Sequence, residues 1–351
     1  MKNKPAVPAR KGRGAQLNPH NPFENTLRDK MPDPDLPDRT CYQEVFPKSM
    51  INRVDSPDIG MAWSMNPYQG CEHGCVYCYA RNTHPFWGFS AGLDFEQNIL
   101  VKKDAPELLR KQLQKNSWRA APIMLSGNTD CYQPAERKFE VTRRLLEVLW
   151  AFRHPVGIIT KSRLILRDLD LLAPMAAEGL VHVAISVTSL DEQVRRLLEP
   201  RTASAAARLQ VIRRLSEQGI PVRAMLAPII PGLNDHEILP MARAVADCGA
   251  RAVHHTVVRL NGDVAEIFED WVRKTMPDRA GRILNRIRDC HDGRLSDSRF
   301  GRRITGSGRF AELIGQQMDL ARRLYFEDRK MPPYNLDSYR KRKHPQLALW
   351  E

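Results

Sequence analysis

Cys71, Cys75 and Cys78 stand in a CxxxCxxC spacing within the run NPYQGCEHGCVYCYAR at residues 66–81, with Tyr77 immediately before the third cysteine. Thiolates are the ligands of iron–sulfur clusters, and a 4Fe–4S cube takes four of them when every iron is tied to protein. Three thiolates on one loop hold such a cube by three irons and leave the fourth open. An open metal position is where a ligand binds and chemistry starts. The competing reading is a zinc knuckle, with His73 or a distant cysteine as fourth ligand. His73 falls inside the loop between Cys71 and Cys75, which is tight for a tetrahedral site that also uses all three thiols, and there is no second CxxC pair.

A loop of this kind needs a rigid frame. Apolar runs recur at 60–65, 121–125, 156–159, 181–187, 220–230 and 252–258, and helical patterns separate the later ones at 136–152, 164–177, 190–198, 205–218 and 237–247. Short buried strands alternating with amphipathic helices make right-handed βαβ units around a parallel sheet. The expected architecture is therefore α/β, a partial (β/α)6 barrel of TIM type, open on one side, whose first strand ends just before the cysteines. A further strand is expected at 95–101 and a helix at 106–114. From about residue 259 the alternation stops, and 264–274, 279–289 and 310–326 read as helices. The division expected is an arm at 1–40, a core at 41–260 and a helical, basic C-terminal extension at 261–351. The arm is rich in Pro, Asn, Asp, Lys and Arg; such a segment buries too little surface to offset its ordering entropy, so it reads as disordered or loosely draped.

In parallel α/β barrels the active site lies at the C-terminal ends of the strands. The second strand exits into Ser126-Gly127-Asn128-Thr129-Asp130-Cys131-Tyr132, the third into Thr160-Lys161-Ser162, the fourth into Ser186-Val187-Thr188-Ser189, and the fifth into Pro228-Ile229-Ile230-Pro231-Gly232 with Asn234 and Asp235 beyond. Ser162, Ser189 and Asp235 read best as helix N-caps, a position such residues favour for backbone reasons. Lys161 and Asp130 are harder to explain that way. The aromatic loop HPFWGF at 84–89 either shelters the cluster or binds substrate, with structural packing the plainer reading. Phe86, Trp87, Phe89 and Tyr132 are the side chains that could stack bases.

The cysteine run resembles the signature of the radical SAM superfamily, CxxxCxΦC with an aromatic residue at Φ. Together with TDCYQPAE, TKSRLILRDLDLL, LEPRTASAAARLQVIRRLSEQGIPV and APIIPGLND, it resembles the branch of spore photoproduct lyase and DNA repair photolyase-like proteins, over about residues 66–235. The resemblance implies a 4Fe–4S cluster on Cys71, Cys75 and Cys78, with S-adenosylmethionine chelating the open iron. It also implies a reductant such as flavodoxin or ferredoxin and reductive cleavage to a 5′-deoxyadenosyl radical that abstracts hydrogen from substrate. The methionyl ammonium wants acceptors such as carbonyls of the Ser126-Gly127-Asn128 turn, where a glycine lets backbone approach closely. The carboxylate wants a cation, for which Lys161 is the candidate. Ser186 and Glu199 are candidates for the ribose, and Tyr77 with 228–232 for adenine. By resemblance Asp130, Lys161 and Ser186 touch S-adenosylmethionine and Tyr79 lies beside the radical path. Spore photoproduct lyase uses a cysteine near the end of its second strand as hydrogen donor. Here Asn128 falls in that slot and Cys131 follows Asp130, so Cys131 donates only if the turn aims it inward.

The 351 residues carry a formal net charge of +13 and 42% hydrophobic residues, enough for a core. Positive charge of this size draws polyanions, nucleic acid first, although much of it is spread along solvated helix faces. The clustered exceptions are the Gly- and Arg-rich stretch at 294–309 and the block at 340–343. No apolar run reaches the roughly 20 residues a membrane span needs. No secretory signal is evident, and seven cysteines do not read as a disulfide framework; the expected location is the cytoplasm. Two other functions compete with a radical enzyme. One is a metal-stabilised nucleic-acid-binding protein without catalysis, which leaves the polar strand ends unexplained. The other is an electron-transfer protein, which would usually be smaller and ligate all four irons.

Overall fold

The computed structural model describes residues 10–23, 39–58 and 60–340. Its strands are β1 (Cys41–Glu44), β2 (Ile51–Arg53), β3 (Trp63–Met65), β4 (Tyr68–Gln69), β5 (Asn98–Val101), β6 (Ile123–Leu125), β7 (Val156–Thr160), β8 (Val181–Ser186), β9 (Val222–Ile229) and β10 (Ala252–Val257). The helices are α1 (Leu93–Gln97), α2 (Ala105–Gln114), α3 (Glu136–Phe139), α4 (Val141–Ala151), α5 (Leu169–Ala177), α6 (Glu192–Leu198), α7 (Ala205–Glu217), α8 (Ile238–Asp247), α9 (Val264–Thr275), α10 (Pro277–Asp289) and α11 (Gly308–Phe326).

The main sheet has the order β10-β9-β8-β7-β6-β3-β2. β3, β6, β7, β8, β9 and β10 pair in parallel, one for each of the six apolar runs, and β2 joins antiparallel to β3 at the edge. This is the expected partial (β/α)6 barrel of TIM type. One detail departs from expectation. The strands are sealed on the helix face only: Val181, Val183 and Ile185 are buried whereas His182 and Ala184 are half-buried, and β9 alternates in the same way. The inner face is covered less completely, in part by Tyr334, whose ring stacks on His182 at 3.9 Å, so the strands keep a period of two.

Segment 95–101 splits between α1 and β5, and 136–152 between α3 and α4, where Glu140 adopts a left-handed φ of 49°. A second sheet, β1-β5-β4, grips the entry to the cysteine loop. The C-terminal helices pack onto the barrel. α11 lies on α8 and β10, putting Ile314, Met318 and Ala321 into the main core as the covering helix of the last strand. α9 and α10 form a second core with Cys75, Val76 and Tyr77.

Residues 290–307 run from α10 to α11 without regular structure apart from turns. Val257 N donates to Ile304 O (2.8 Å) and Leu260 N to Leu295 O (2.9 Å) beside β10. Asp58, in the β2–β3 connection, accepts from Gly301 N (2.8 Å) and Arg303 Nε (2.5 Å). The segment therefore ties one edge of the open sheet to the other. Of the block at 340–343, only Arg340 lies within the described residues.

Residues 10–23 do not behave as a loose arm. Arg13, Ala15 and Asn21 are buried, and Asn21 Nδ2 donates to Pro85 O (3.1 Å). The anchor is Glu96, fully buried, which accepts from Gly14 N (3.2 Å), Ala15 N (2.7 Å) and Arg81 Nη2 (2.5 Å). A Cβ on Gly14 would lie 1.8 Å from Gly74 O, so only glycine lets the segment meet the cysteine loop. Composition misjudged this stretch because its burial relies on backbone hydrogen bonds to one distant carboxylate rather than on its own apolar side chains.

Removing one partner of a buried ion pair leaves an uncompensated charge and costs about 3–5 kcal/mol. Glu96→Ala is accordingly expected to lower stability by about that much and to expose the segment around Arg10 and Arg13 to trypsin. Urea unfolding and limited proteolysis check this; a variant within about 0.5 kcal/mol of the parent, with the same cleavage pattern, would show that the pair does not hold the segment.

Candidate metal centre

The cysteine loop begins at β4, is fixed by Cys71 N donating to Phe95 O (2.8 Å), and ends in a 3-10 turn at Tyr79–Thr83. Between these points Gly74 takes a φ of 67°, and a Cβ there would lie 2.9 Å from Glu96 Oε2. Arg81 binds the loop from within. Its Nε and Nη2 donate to Cys75 O (3.0 and 2.9 Å) and its Nη1 to Gly92 O (2.9 Å). Val76 N donates to Leu198 O (3.1 Å), which joins the loop to the end of α6.

The three thiols sit close enough to feel one another's charge. Burial pushes the Cys71 and Cys75 thiols well up, and neighbouring carboxylates and thiols add to the rise. Thiolates here therefore need a metal's positive charge to exist, and a coordinating thiol is deprotonated outright. Among the described residues, no three His, Cys, Asp or Glu side chains converge on a place for a single metal ion.

Lys161 follows β7 and is half-buried, its Nζ 6.0 Å from the Tyr77 ring centroid. Burial would lower its pKa, but the Cys75 sulfur once it is a thiolate, and the Glu199 carboxylate beside it, prevail and raise it, so the ammonium stays charged. Among the described residues its Nζ has no hydrogen-bond partner, and neither does Ser186 Oγ, whose residue ends β8. These two groups remain for a ligand.

The two candidate carboxylates do not. Asp130 accepts at Oδ1 from Thr160 Oγ1 (2.7 Å) and Tyr132 N (2.9 Å), and at Oδ2 from Lys161 N (2.8 Å) and His73 Nδ1 (3.2 Å). A carboxylate offers about four acceptor sites, and all are taken. Burial alone would raise the Asp130 pKa; His73 and the other donors outweigh it and bring the pKa to about 2. Glu199 is fully buried, with Tyr77 OH and Thr188 Oγ1 on one oxygen and Arg208 Nη2 on the other. Burial raises its pKa, and Arg208 and Lys161 overcome that to hold it at about 2. So the assignments of Asp130 and Glu199 to S-adenosylmethionine give way to structural ones: Asp130 orients His73 within the loop, and Glu199 holds Tyr77.

Ser126, at a left-handed φ of 76°, accepts from Cys131 N (2.5 Å). Gly127 O accepts from Tyr79 OH (2.6 Å), and the Asn128 side chain bonds Gln69 and Thr83. Cys131 has 0% exposure and belongs to the main core, so it lines no cavity and is not placed as a hydrogen donor. Tyr132 is buried and donates to Asp168 Oδ2 (3.0 Å), which removes it as a stacking platform. Phe86 and Trp87 are exposed rather than packed into the core. The reading from sequence missed Glu96, Arg208 and the role of Arg81, and it placed Thr188 at a strand end without its bond to Glu199. Of the three missed, Arg81, close behind the third cysteine, carried a local signal.

A family model of the radical SAM superfamily matches residues 65–245. An uncharacterised protein of Mycobacterium tuberculosis is 33% identical over 257 residues, 72% of this chain and 74% of that protein. An uncharacterised protein of Acidianus two-tailed virus is 30% identical over 259 residues, 68% of this chain and 84% of that one. Among solved structures, spore photoproduct lyase shares the fold with a TM-score of 0.60 at 15–16% identity, covering 81% of this chain and 79% of that one; one such structure holds AdoMet and a dinucleoside spore photoproduct. The chain belongs to the radical SAM superfamily. It is a radical SAM enzyme, with the 4Fe–4S cluster, S-adenosylmethionine and need for a reductant that the family entails.

The Asp130 pKa lies below its unfolded value of about 3.9. Its contribution to stability is therefore present above pH 4 and lost as pH falls toward 2. Asp130→Asn is expected to be less stable at neutral pH and to lose about 2 kcal/mol less than the parent between about pH 4 and pH 2. Urea titrations of the metal-free protein at stepped pH test this; parallel curves would disprove the assignment.

Proposed function

We propose that this enzyme holds its 4Fe–4S cluster through Cys71, Cys75 and Cys78, receives electrons from a flavodoxin- or ferredoxin-type donor in the cytoplasm, and abstracts hydrogen from a nucleic-acid substrate. The observation that carries this reading is the meeting, at one strand-end face, of three thiols on one loop with Lys161, whose ammonium has no hydrogen-bond partner among the described residues. When bound, the cluster supplies the electron that cleaves S-adenosylmethionine and so generates the hydrogen-abstracting group.

The chain's own part is to bind and orient. Lys161 takes the methionyl carboxylate as a point charge, and Ser186 Oγ takes a ribose hydroxyl. Tyr77, fixed by Glu199, and the turn at 228–232 border the adenine. Tyr79 stays beside the reacting region through its bond to Gly127 O, and its phenol keeps its proton at neutral pH as tyrosines ordinarily do. Support for nucleic acid comes from the charge of +13 and from the dinucleoside in the spore photoproduct lyase structure of the same fold.

The test is anaerobic reconstitution with iron and sulfide, then dithionite and S-adenosylmethionine. The parent is expected to form 5′-deoxyadenosine. Cys78→Ala should lose the cluster absorbance and the product, and Lys161→Met should keep the cluster but bind S-adenosylmethionine about tenfold more weakly, as loss of a charge-assisted contact implies. A cluster-loaded parent that forms no 5′-deoxyadenosine would sink the proposal.

A further inference from the structure

Arg259 leaves the C-terminal end of β10 between two backbone clamps, Val258 N to Ile229 O (2.9 Å) and Leu260 N to Leu295 O (2.9 Å). Its guanidinium carbon lies 5.9 Å from the ring centroid of Tyr79, the residue after Cys78. Tyr79 is 46% exposed, so this place opens to solvent beside the cysteine loop. The arginines around it are already engaged. Arg303 binds Asp58 and Ser56, Arg299 binds Asp297 and Asp292, and Arg302 binds Asp292. Asp58, the carboxylate whose charge reaches Arg259, gives its two oxygens to Gly301 N and Arg303 Nε.

Among the described residues the Arg259 guanidinium has no acceptor, and its nitrogens are not sealed from solvent. Burial first, then the like charge of Arg303, lowers its pKa. A half-buried guanidinium with no acceptor among the described residues is a cost that an incoming anion would relieve.

Building on the nucleic-acid reading, we infer that Arg259 is a subsite for a phosphate group of the substrate at the open mouth of the barrel. Arg matches phosphate in a bidentate fork that Lys cannot reproduce. A phosphate held there places the attached sugar and base beside Tyr79.

The experiment uses the full-length, cluster-loaded protein, with Arg259→Gln, Arg259→Lys and, as a control, Arg243→Gln on the exposed face of α8. Binding of a fluorescein-labelled single-stranded DNA is followed by anisotropy from roughly 50 to 200 mM salt. Arg259→Gln is expected to bind about tenfold more weakly, with a log–log salt slope shallower by about 0.7, the value for one phosphate on a single strand. Arg259→Lys is expected to keep the slope and lose about threefold in affinity, and Arg243→Gln to stay close to the parent. Arg259→Gln behaving like Arg243→Gln overturns the subsite. Should Arg259→Gln fail to hold its cluster, Arg259→Lys decides, and unchanged affinity overturns the subsite. If the parent binds no oligonucleotide, the nucleic-acid reading falls by itself and inorganic pyrophosphate becomes the probe. A rise in melting temperature that depends on Arg259 then supports the subsite for a smaller phosphate ester, and an equal rise in parent and variants overturns it.

Discussion

Glu96 and Arg81 form an ion pair with no solvent exposure on either side chain, and the cysteine loop is built around it. Arg81 holds Cys75 O from inside the loop, while Glu96 takes two backbone N–H groups of the N-terminal segment. A buried pair of this kind is no net gain over apolar packing unless each remaining donor and acceptor finds a partner. Here they do, and the pair fixes geometry. Three thiols on a nine-residue loop must face one cluster, and a loop without regular secondary structure cannot hold that alignment by its own torsions.

The charges around the thiols divide into those spent on the fold and those left for ligands. Asp130 and Glu199 are saturated, each pinning an aromatic or imidazole side chain of the loop, His73 in one case and Tyr77 in the other. Among the described residues, Lys161 Nζ, Ser186 Oγ and the Arg259 guanidinium have no hydrogen-bond partner. The two cations suit a pocket that takes a cofactor carboxylate and an anionic substrate. Carboxylates at the strand ends look like ligand contacts in a linear reading, yet their four lone-pair sites are filled by donors from β7, α7 and the loop itself.

The open barrel sets the wider arrangement. Its sheet ends in two edges, β2 and β10, and exposed edges invite pairing with other chains. The stretch at 290–307 spans them through Ile304 on one side and Asp58 on the other. The extension after the barrel thus contributes α11 to the helical layer, α9 and α10 to the wall beside Cys75, and a tie across the opening.

Much of this was legible in the linear sequence for a physical reason: cysteine spacing on one loop and hydrophobic period along strands and helices are local properties. The metal loop, the six parallel strands and the polar exits that mark the reactive face follow from neighbours in the chain. What only the tertiary structure decided are partnerships between distant residues. Gly14 meets Glu96 across 82 positions, and Arg303 reaches Asp58 across 245. Whether a carboxylate such as Asp130 is free or consumed depends on donors that converge in space, and a thiol such as Cys131 is sealed or accessible according to how the core closes over it. Neither leaves a trace in local spacing.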